Sequence, residues 1–181
     1  MKYLLLVLLI GIVACSQTGT VPENMPMGQG NMPMGENMPM MHSVESEEEF
    51  IVEMIPHHQE AVDTSLLVLG SDNAELQVLA QQIIEAQEAE IAMMNEWLDN
   101  WYAGGYEPSY QNMMPDLESL SSDERDVAYI QGMIMHHRMA VMMARQVLAL
   151  DPREEVAEFA QTVIEVQSSE ITQMQEMLEQ Y

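Results

Sequence analysis

The sequence predicts an all-α protein, an antiparallel four-helix bundle made of two repeated helical hairpins. Apolar residues recur at spacings of three and four along four segments, which is typical of amphipathic helices. The chain also repeats itself: the segment from Ile51 matches that from Ile130 at a shift of 79, and the segment from Leu79 matches that from Phe159 at a shift of 80. A repeat of this size is a supersecondary unit, so we expect each copy to be one hairpin.

Capping boxes, a Ser or Asp followed three residues later by Glu, predict three helix starts. They are Ser46–Glu49, Asp72–Glu75 and Ser121–Glu124. Pro152 predicts the fourth start, at the first helical position where its missing N–H is harmless. Gly70 predicts the end of the first helix. The bundle at 46–181 is therefore expected to contain a hairpin at 46–102, a crossover at 103–120 and a hairpin at 121–181.

Residues 1–14 predict a lipoprotein signal peptide. Lys2 precedes an apolar run at 3–14, which is short for a membrane span of roughly 20 residues but typical of a signal peptide. The run ends in Ile-Val-Ala-Cys, which resembles a bacterial lipobox, so we expect lipidation of Cys15. An ordinary secretory signal is the alternative. The chain is accordingly expected in the cell envelope, exported and lipid-anchored on the periplasmic side of a membrane or on the outer cell surface.

The exported chain is strongly acidic. It keeps 30 Asp and Glu and four Arg but loses Lys2, so its formal charge is 4 − 30 = −26. Nucleic acid is disfavoured as a partner, because phosphate binding depends on Lys and Arg. Attraction of cations fits this charge, and so does a merely soluble acidic surface.

Residues 15–45 are expected to form a lipidated, disordered Met-rich tail. The stretch at 24–42 holds three imperfect copies of Asn-Met-Pro-Met and ends in His. Two residues span only about 6 Å in an extended chain, so both sulfurs flanking a proline can reach one ion. A tether that merely happens to be Met-rich is the alternative. The candidate tail ligands are Met25, Met27, Met32, Met34, Met38, Met40, Met41 and His42.

A His-His pair occurs at the same place in both copies, and each pair has Met three residues before it. The helical period puts His58 and His137 near the centre of the apolar stripe, pointing into the bundle. It puts His57 and His136 at the edge of the stripe. A purely structural role for the inner two is the alternative to metal binding. Their expected hydrogen-bond partners on the neighbouring helices are Gln87 or Glu90, and Gln167 or Glu170.

Methionine and histidine without cysteine favour copper. Thioether sulfur is soft and binds Cu(I) and Ag(I), whereas imidazole suits copper in either oxidation state. Zinc is disfavoured because the chain has neither finger spacing nor His-Glu-x-x-His. The expected cofactor is therefore copper, as Cu(I) with Cu(II) as a further candidate, and Ag(I) is a surrogate.

The motifs MIPHHQEAVD and MIMHHRMAVMMA, each followed by a helix with Gln-x-x-Glu-Ile-x-x-Met, resemble the bacterial family called domain of unknown function 305. Its best-known branch is the CopM-like copper-binding proteins. The resemblance covers roughly residues 47–181 and implies a ferritin-like bundle that binds copper for sequestration, delivery or resistance. The ligands that it implies are Met54, His57, His58, Met133, His136, His137, Met139 and Met143. Met94 and Met174, on the apolar stripes of the partner helices, complete the candidate set.

The first copy departs from the family pattern. Family members often carry Met where Glu60 and Thr64 stand, so the first-copy site is expected to be weaker, or better suited to Cu(II) through Glu60 and His57.

A ferritin-like metalloenzyme is an alternative, but the chain lacks the Glu-x-x-His of di-iron bundles, so we expect no enzyme. A non-metal envelope adaptor is a further alternative. A copper-transfer protein is an expected partner, and the oligomeric state stays open.

Overall fold

The computed structural model describes residues 43–104 and 107–181. The predicted signal peptide, Cys15 and the tail ligands up to His42 lie outside these residues and stay predictions. The helices are α1 (Glu47–Leu66), α2 (Ala74–Trp101), α3 (Ser122–Leu148) and α4 (Glu154–Leu178). The described residues contain no strand, and the all-α, four-helix prediction is confirmed. Within the same residues, no helix is long and apolar enough to cross a membrane.

Two of the three predicted capping starts are found. Ser46 caps α1 by accepting from the Glu49 amide at 3.1 Å, and Ser121 caps α3 within a capping box. The prediction for α2 was wrong, because the cap is Asn73 rather than Asp72. The side chain of Asn73 accepts from the amides of Glu75 and Leu76 at 3.0 and 3.2 Å, which is the role a cap must fill.

Two other predicted ends also differ. The helix α1 stops at Leu66, before Gly70, because the next two amides bond three residues back rather than four and tighten the chain into turns. Pro152 lies before the cap of α4, which is Arg153. Asp151 turns the chain there with a φ of 54°, in the left-handed region that Asp tolerates.

The two hairpins meet along α1 and α3. Each helix packs against the next within its hairpin, and α1 also packs against α3. The two central helices are antiparallel, since the ring of His57 lies on that of His136 while Ser65 Oγ lies 2.7 Å from the hydroxyl of Tyr129. The residues between these contacts form the joint of the two repeats.

The apolar core consists of two clusters separated along the helices. One contains Phe50, Met54, Ala140 and Phe159, and the other contains Ala61, Leu76, Tyr129 and Met133. On α1 the His-His pair falls between Met54 and Ala61, and on α3 it falls between Met133 and Ala140. The histidines therefore occupy a polar layer between two apolar clusters.

The crossover segment, residues 107–120, is fastened to both central helices. On α1, Glu53 accepts from the amide and hydroxyl of Ser109 at 2.7 and 2.8 Å. On α3, a Cβ added to Gly132 would lie 2.8 Å from Pro115 Cδ and 3.1 Å from Met114 Sδ. Glycine is therefore needed at this position for the crossover segment to lie against α3.

Replacing Gly132 with Ala should destabilise the protein, although Ala is the better helix former by roughly 1 kcal/mol. Overpacking typically costs about 1–3 kcal/mol, and Pro115 is a rigid neighbour, so we expect a net loss of about 1 kcal/mol in urea denaturation. Gly70→Ala is the control, because a Cβ there has nothing within 4 Å. Equal stability of the two variants would show that the crossover segment yields freely.

Candidate metal centre

All four histidines of the described chain are buried, with exposed fractions of 1% for His57 and 0% for His58, His136 and His137. The helical period of the sequence placed His57 and His136 at the edge of the apolar stripe, yet they are as buried as His58 and His137. Their burial arises because α1 and α3 bring these two edges together. The two rings stack with centroids 3.6 Å apart at an interplanar angle of 33°.

The inner histidines have equivalent partners in the two hairpins. The Nε2 of His58 lies 2.9 Å from Glu90 Oε2, and that of His137 lies 2.7 Å from Glu170 Oε2. Of the partners that the sequence offered for each ring, the glutamate makes the bond. The glutamines Gln87 and Gln167 are also buried, and their Oε1 atoms have no protein partner.

The stacked histidines have different partners. His57 Nε2 lies 3.1 Å from the carbonyl oxygen of His136. His136 Nε2 lies 3.3 Å from Glu60 Oε2 and 3.4 Å from the Tyr110 hydroxyl. Glu60 therefore contacts His136 on α3, and a Cu(II) site formed by Glu60 with His57 stays a prediction.

These contacts define which ring nitrogen is free. Carbonyl and carboxylate oxygens only accept hydrogen bonds, so each Nε2 that faces one carries a proton. In the neutral form of each ring, Nδ1 then carries the lone pair. All four Nδ1 atoms are buried and have no protein hydrogen-bond partner. The layer thus presents four basic nitrogens in the form that binds metals.

Burial also keeps the stacked rings neutral. Desolvation, with the neighbouring histidines, holds the pKa of His57 well below its usual 6.5. Desolvation likewise lowers the pKa of His136, to about 4, although the hydrogen bond with Glu60 opposes this shift. At neutral pH both imidazoles are therefore uncharged, with one N–H each, as metal binding requires.

Glu60 is a buried carboxylate that stays ionised. Its oxygens accept from the amides of Met113 and Met114 at 2.8 and 3.0 Å, and from the Tyr110 hydroxyl. Burial raises its pKa, but the bonds from His136, Tyr110 and the two amides outweigh burial and lower the pKa to about 2. An anion is thus held beside the stacked histidines by the crossover segment.

The candidate methionines of the bundle lie mostly in the core, on both sides of the histidine layer. Met54, Met94 and Met143 belong to one apolar cluster, and Met133 and Met174 belong to the other. Met54 and Met133 lie three residues from the first histidine of their pairs, about one helical turn. Soft sulfur donors therefore flank the layer from both clusters.

Among the described residues, no three His, Cys, Asp or Glu side chains are grouped so that they could hold an ion.

An open cleft of about 680 Å³ runs between α1 and the crossover segment, lined by Pro56, Gln59, Glu60 and Met114 among others. The cleft reaches Glu60, which in turn touches His136.

Sequence reasoning missed the contribution of the crossover segment. Tyr110, Met113 and Met114 lie in a stretch without helical period, so no spacing rule linked them to His136. The Met pair within the linker was the one available signal. The hydroxyl of Thr64 donates to the Glu60 carbonyl of its own helix.

The model of a domain of unknown function, DUF305, matches residues 47–178. The chain belongs to the DUF305 family. Its structure is similar to that of CopM in the Cu(I)-bound form, at 34% identity, with 75% of this chain and 96% of that chain covered and a TM-score of 0.69.

Other forms of CopM are similar too. CopM in the Cu(II)-bound form gives a TM-score of 0.68 at 33% identity, over 75% of this chain and 97% of that chain, and a co-crystallised Ag-bound form gives the same values. A DUF305 fragment from Deinococcus radiodurans gives a TM-score of 0.67 at 26% identity, over 77% of this chain and 99% of that chain. No curated protein sequence matches the chain significantly.

The lowered pKa of His136 makes the stability of the metal-free protein depend on pH. The unfolded chain binds a proton at this residue below pH 6.5, whereas the folded chain does so only near pH 4, so acid favours unfolding between these values. The loss attributable to His136 should be about 3 kcal/mol. Urea denaturation in a chelator, from neutral pH to about pH 4, measures it.

The control for this experiment is His136→Gln, because the many carboxylates also respond to acid. We expect the variant to lose less stability than the natural chain across this pH range, whatever its stability at neutral pH. The same pH dependence in both proteins would contradict a buried, neutral His136.

Proposed function

We propose that this protein is a cell-envelope lipoprotein that binds soft metal ions, Cu(I) and Ag(I) and also Cu(II), through Met and His. Its role is copper sequestration, delivery or resistance, without catalytic turnover. The single observation that carries the proposal is the set of four buried Nδ1 atoms without a protein partner. A buried acceptor left unsatisfied costs about 1–3 kcal/mol, and binding an ion would recover this cost.

The donor types around the layer support a soft ion. Met54 and Met133 are completely buried beside the His pairs, and neutral thioethers scarcely bind Mg²⁺, Ca²⁺ or Mn²⁺. The imidazoles supply the nitrogen donors that Cu(II) accepts, and the Glu60 carboxylate adds a negative charge beside them. CopM, which shares the family and the fold, has been solved with Cu(I), Cu(II) and Ag.

The remaining parts of the proposal rest on the sequence. The apolar run before Cys15 supports export and lipid anchoring, and the Met-rich tail would collect soft ions between the membrane and the bundle. The strong negative charge would attract cations to both parts. A protein that receives or supplies copper is the partner that this role requires.

Titration of the metal-free exported chain with Cu(I), against a competing chelator, tests the proposal. We expect competition at micromolar chelator, with more ions bound by the full chain than by a chain lacking residues 16–45. The difference in the number of Cu(I) ions bound by the two proteins counts the tail sites, and the number bound by the shortened chain counts the bundle sites. If neither protein competes with the chelator, the copper-binding function is wrong.

Replacing Met54 and Met133 together with Leu should weaken Cu(I) binding at least tenfold, because Leu keeps the volume of the core but removes the sulfur. Stability should change by less than about 1.5 kcal/mol for each substitution. Met177→Leu is the matched control, since Met177 is also buried but lies seven residues along α4 from Glu170, the α4 contact of His137. Equal Cu(I) affinity in all three proteins would exclude the two core sulfurs as ligands.

A further inference from the structure

Glu60 breaks the twofold repeat of the histidine layer. The shift of 79 that relates His57 to His136 relates Glu60 to Met139. The two stacked rings would be equivalent if the repeat were perfect. Instead, His57 Nε2 faces a neutral carbonyl at 3.1 Å, whereas His136 Nε2 faces the Glu60 carboxylate at 3.3 Å.

The Glu60 carboxylate is held so completely that its effect must pass through His136. Its Oε1 accepts from the amides of Met113 and Met114 at 2.8 and 3.0 Å. Its Oε2 accepts from the hydroxyl of Tyr110 and faces the N–H of His136. Both oxygens already have their usual number of hydrogen bonds, so Glu60 in this arrangement positions a ligand rather than serving as one.

We propose that Glu60 is a positioning residue that makes His136, of the two stacked histidines, the first to bind an ion through Nδ1. The inference rests on the proposed metal-binding function and assigns an order within its site. A carboxylate that accepts the second N–H of an imidazole fixes the ring and raises its basicity, and such partners are worth roughly 10–100-fold in metal affinity. The neutral carbonyl facing His57 gives a weaker, uncharged bond.

The order of binding can be read in the unmodified full chain. Titration with Ag(I), followed by long-range ¹H–¹⁵N NMR of the imidazole rings, reports the Nδ1 of each histidine separately. We expect the Nδ1 signal of His136 to respond at a lower Ag(I) ratio than that of His57. A simultaneous response, or His57 responding first, would overturn the inference.

Glu60→Gln, with Glu53→Gln as its matched control, tests the cause of this order. Both are buried glutamates of α1 that accept hydrogen bonds from the crossover segment, but only Glu60 touches a histidine. Glu60→Gln should weaken the His136 binding step by roughly 10–100-fold and bring the responses of His57 and His136 together. Glu53→Gln should keep the order and change affinity by less than about twofold. Equal effects of the two substitutions would reduce Glu60 to a structural contact.

The outcomes separate the two levels of the proposal. If no histidine responds to Ag(I), the proposed function fails in the bundle. If His57 and His136 respond together in the unmodified chain, metal binding stands and the role of Glu60 is wrong. If circular dichroism shows that Glu60→Gln loses its helices, Tyr110→Phe replaces it as the test variant, because it keeps the Glu60 carboxylate. Tyr110→Phe should preserve the order in which His136 and His57 respond, and loss of that order would overturn the inference.

Discussion

The hydrogen bond from each histidine Nε2 to a protein oxygen is the interaction on which the centre of the bundle depends. Without it, four imidazoles could not be buried at an acceptable free-energy cost. With it, one nitrogen of each ring is satisfied and the tautomer is fixed, which leaves Nδ1 as a buried lone pair. The same bonds that let His58 and His137 enter the core therefore leave each ring with an unpartnered Nδ1, the donor atom of the proposed function.

The polar layer can persist because apolar clusters flank it on both sides. Phe50 and Phe159, with ring centroids 6.1 Å apart, are part of one cluster, and Tyr129 and Met133 are part of the other. Methionine suits the borders of the layer, since its side chain packs as a hydrophobe while its sulfur remains a soft donor. In the proposed function, stability and ion binding would thus draw on the same residues, whereas Met133→Leu would keep only the contribution to stability.

The repeat made much of this arrangement predictable. The bundle, and the placing of Gln87 or Glu90 as partner of His58, follow from helical period and spacing, which are properties of the sequence alone. The choice of Glu90 over Gln87 is seen only in the structure. The burial of His57 depends on which edge α1 turns toward α3, and the contact of Tyr110 with Glu60 depends on where an aperiodic segment crosses. Both are tertiary properties. The end of α1 was placed too late because the apolar residues at 67–69 continue the helical pattern into a turn.

The crossover connection also explains why the two copies cannot be equivalent. A chain that repeats one hairpin needs a single link between its copies, so the link bonds to Glu60 or to its counterpart in the other copy, not to both. Here it bonds to Glu60, whose carboxylate accepts hydrogen bonds from the amides of Met113 and Met114. Met139, the counterpart of Glu60, is half-buried and keeps a thioether. The connectivity of the fold therefore gives the stacked histidines different surroundings, a charged oxygen beside His136 and a neutral carbonyl beside His57.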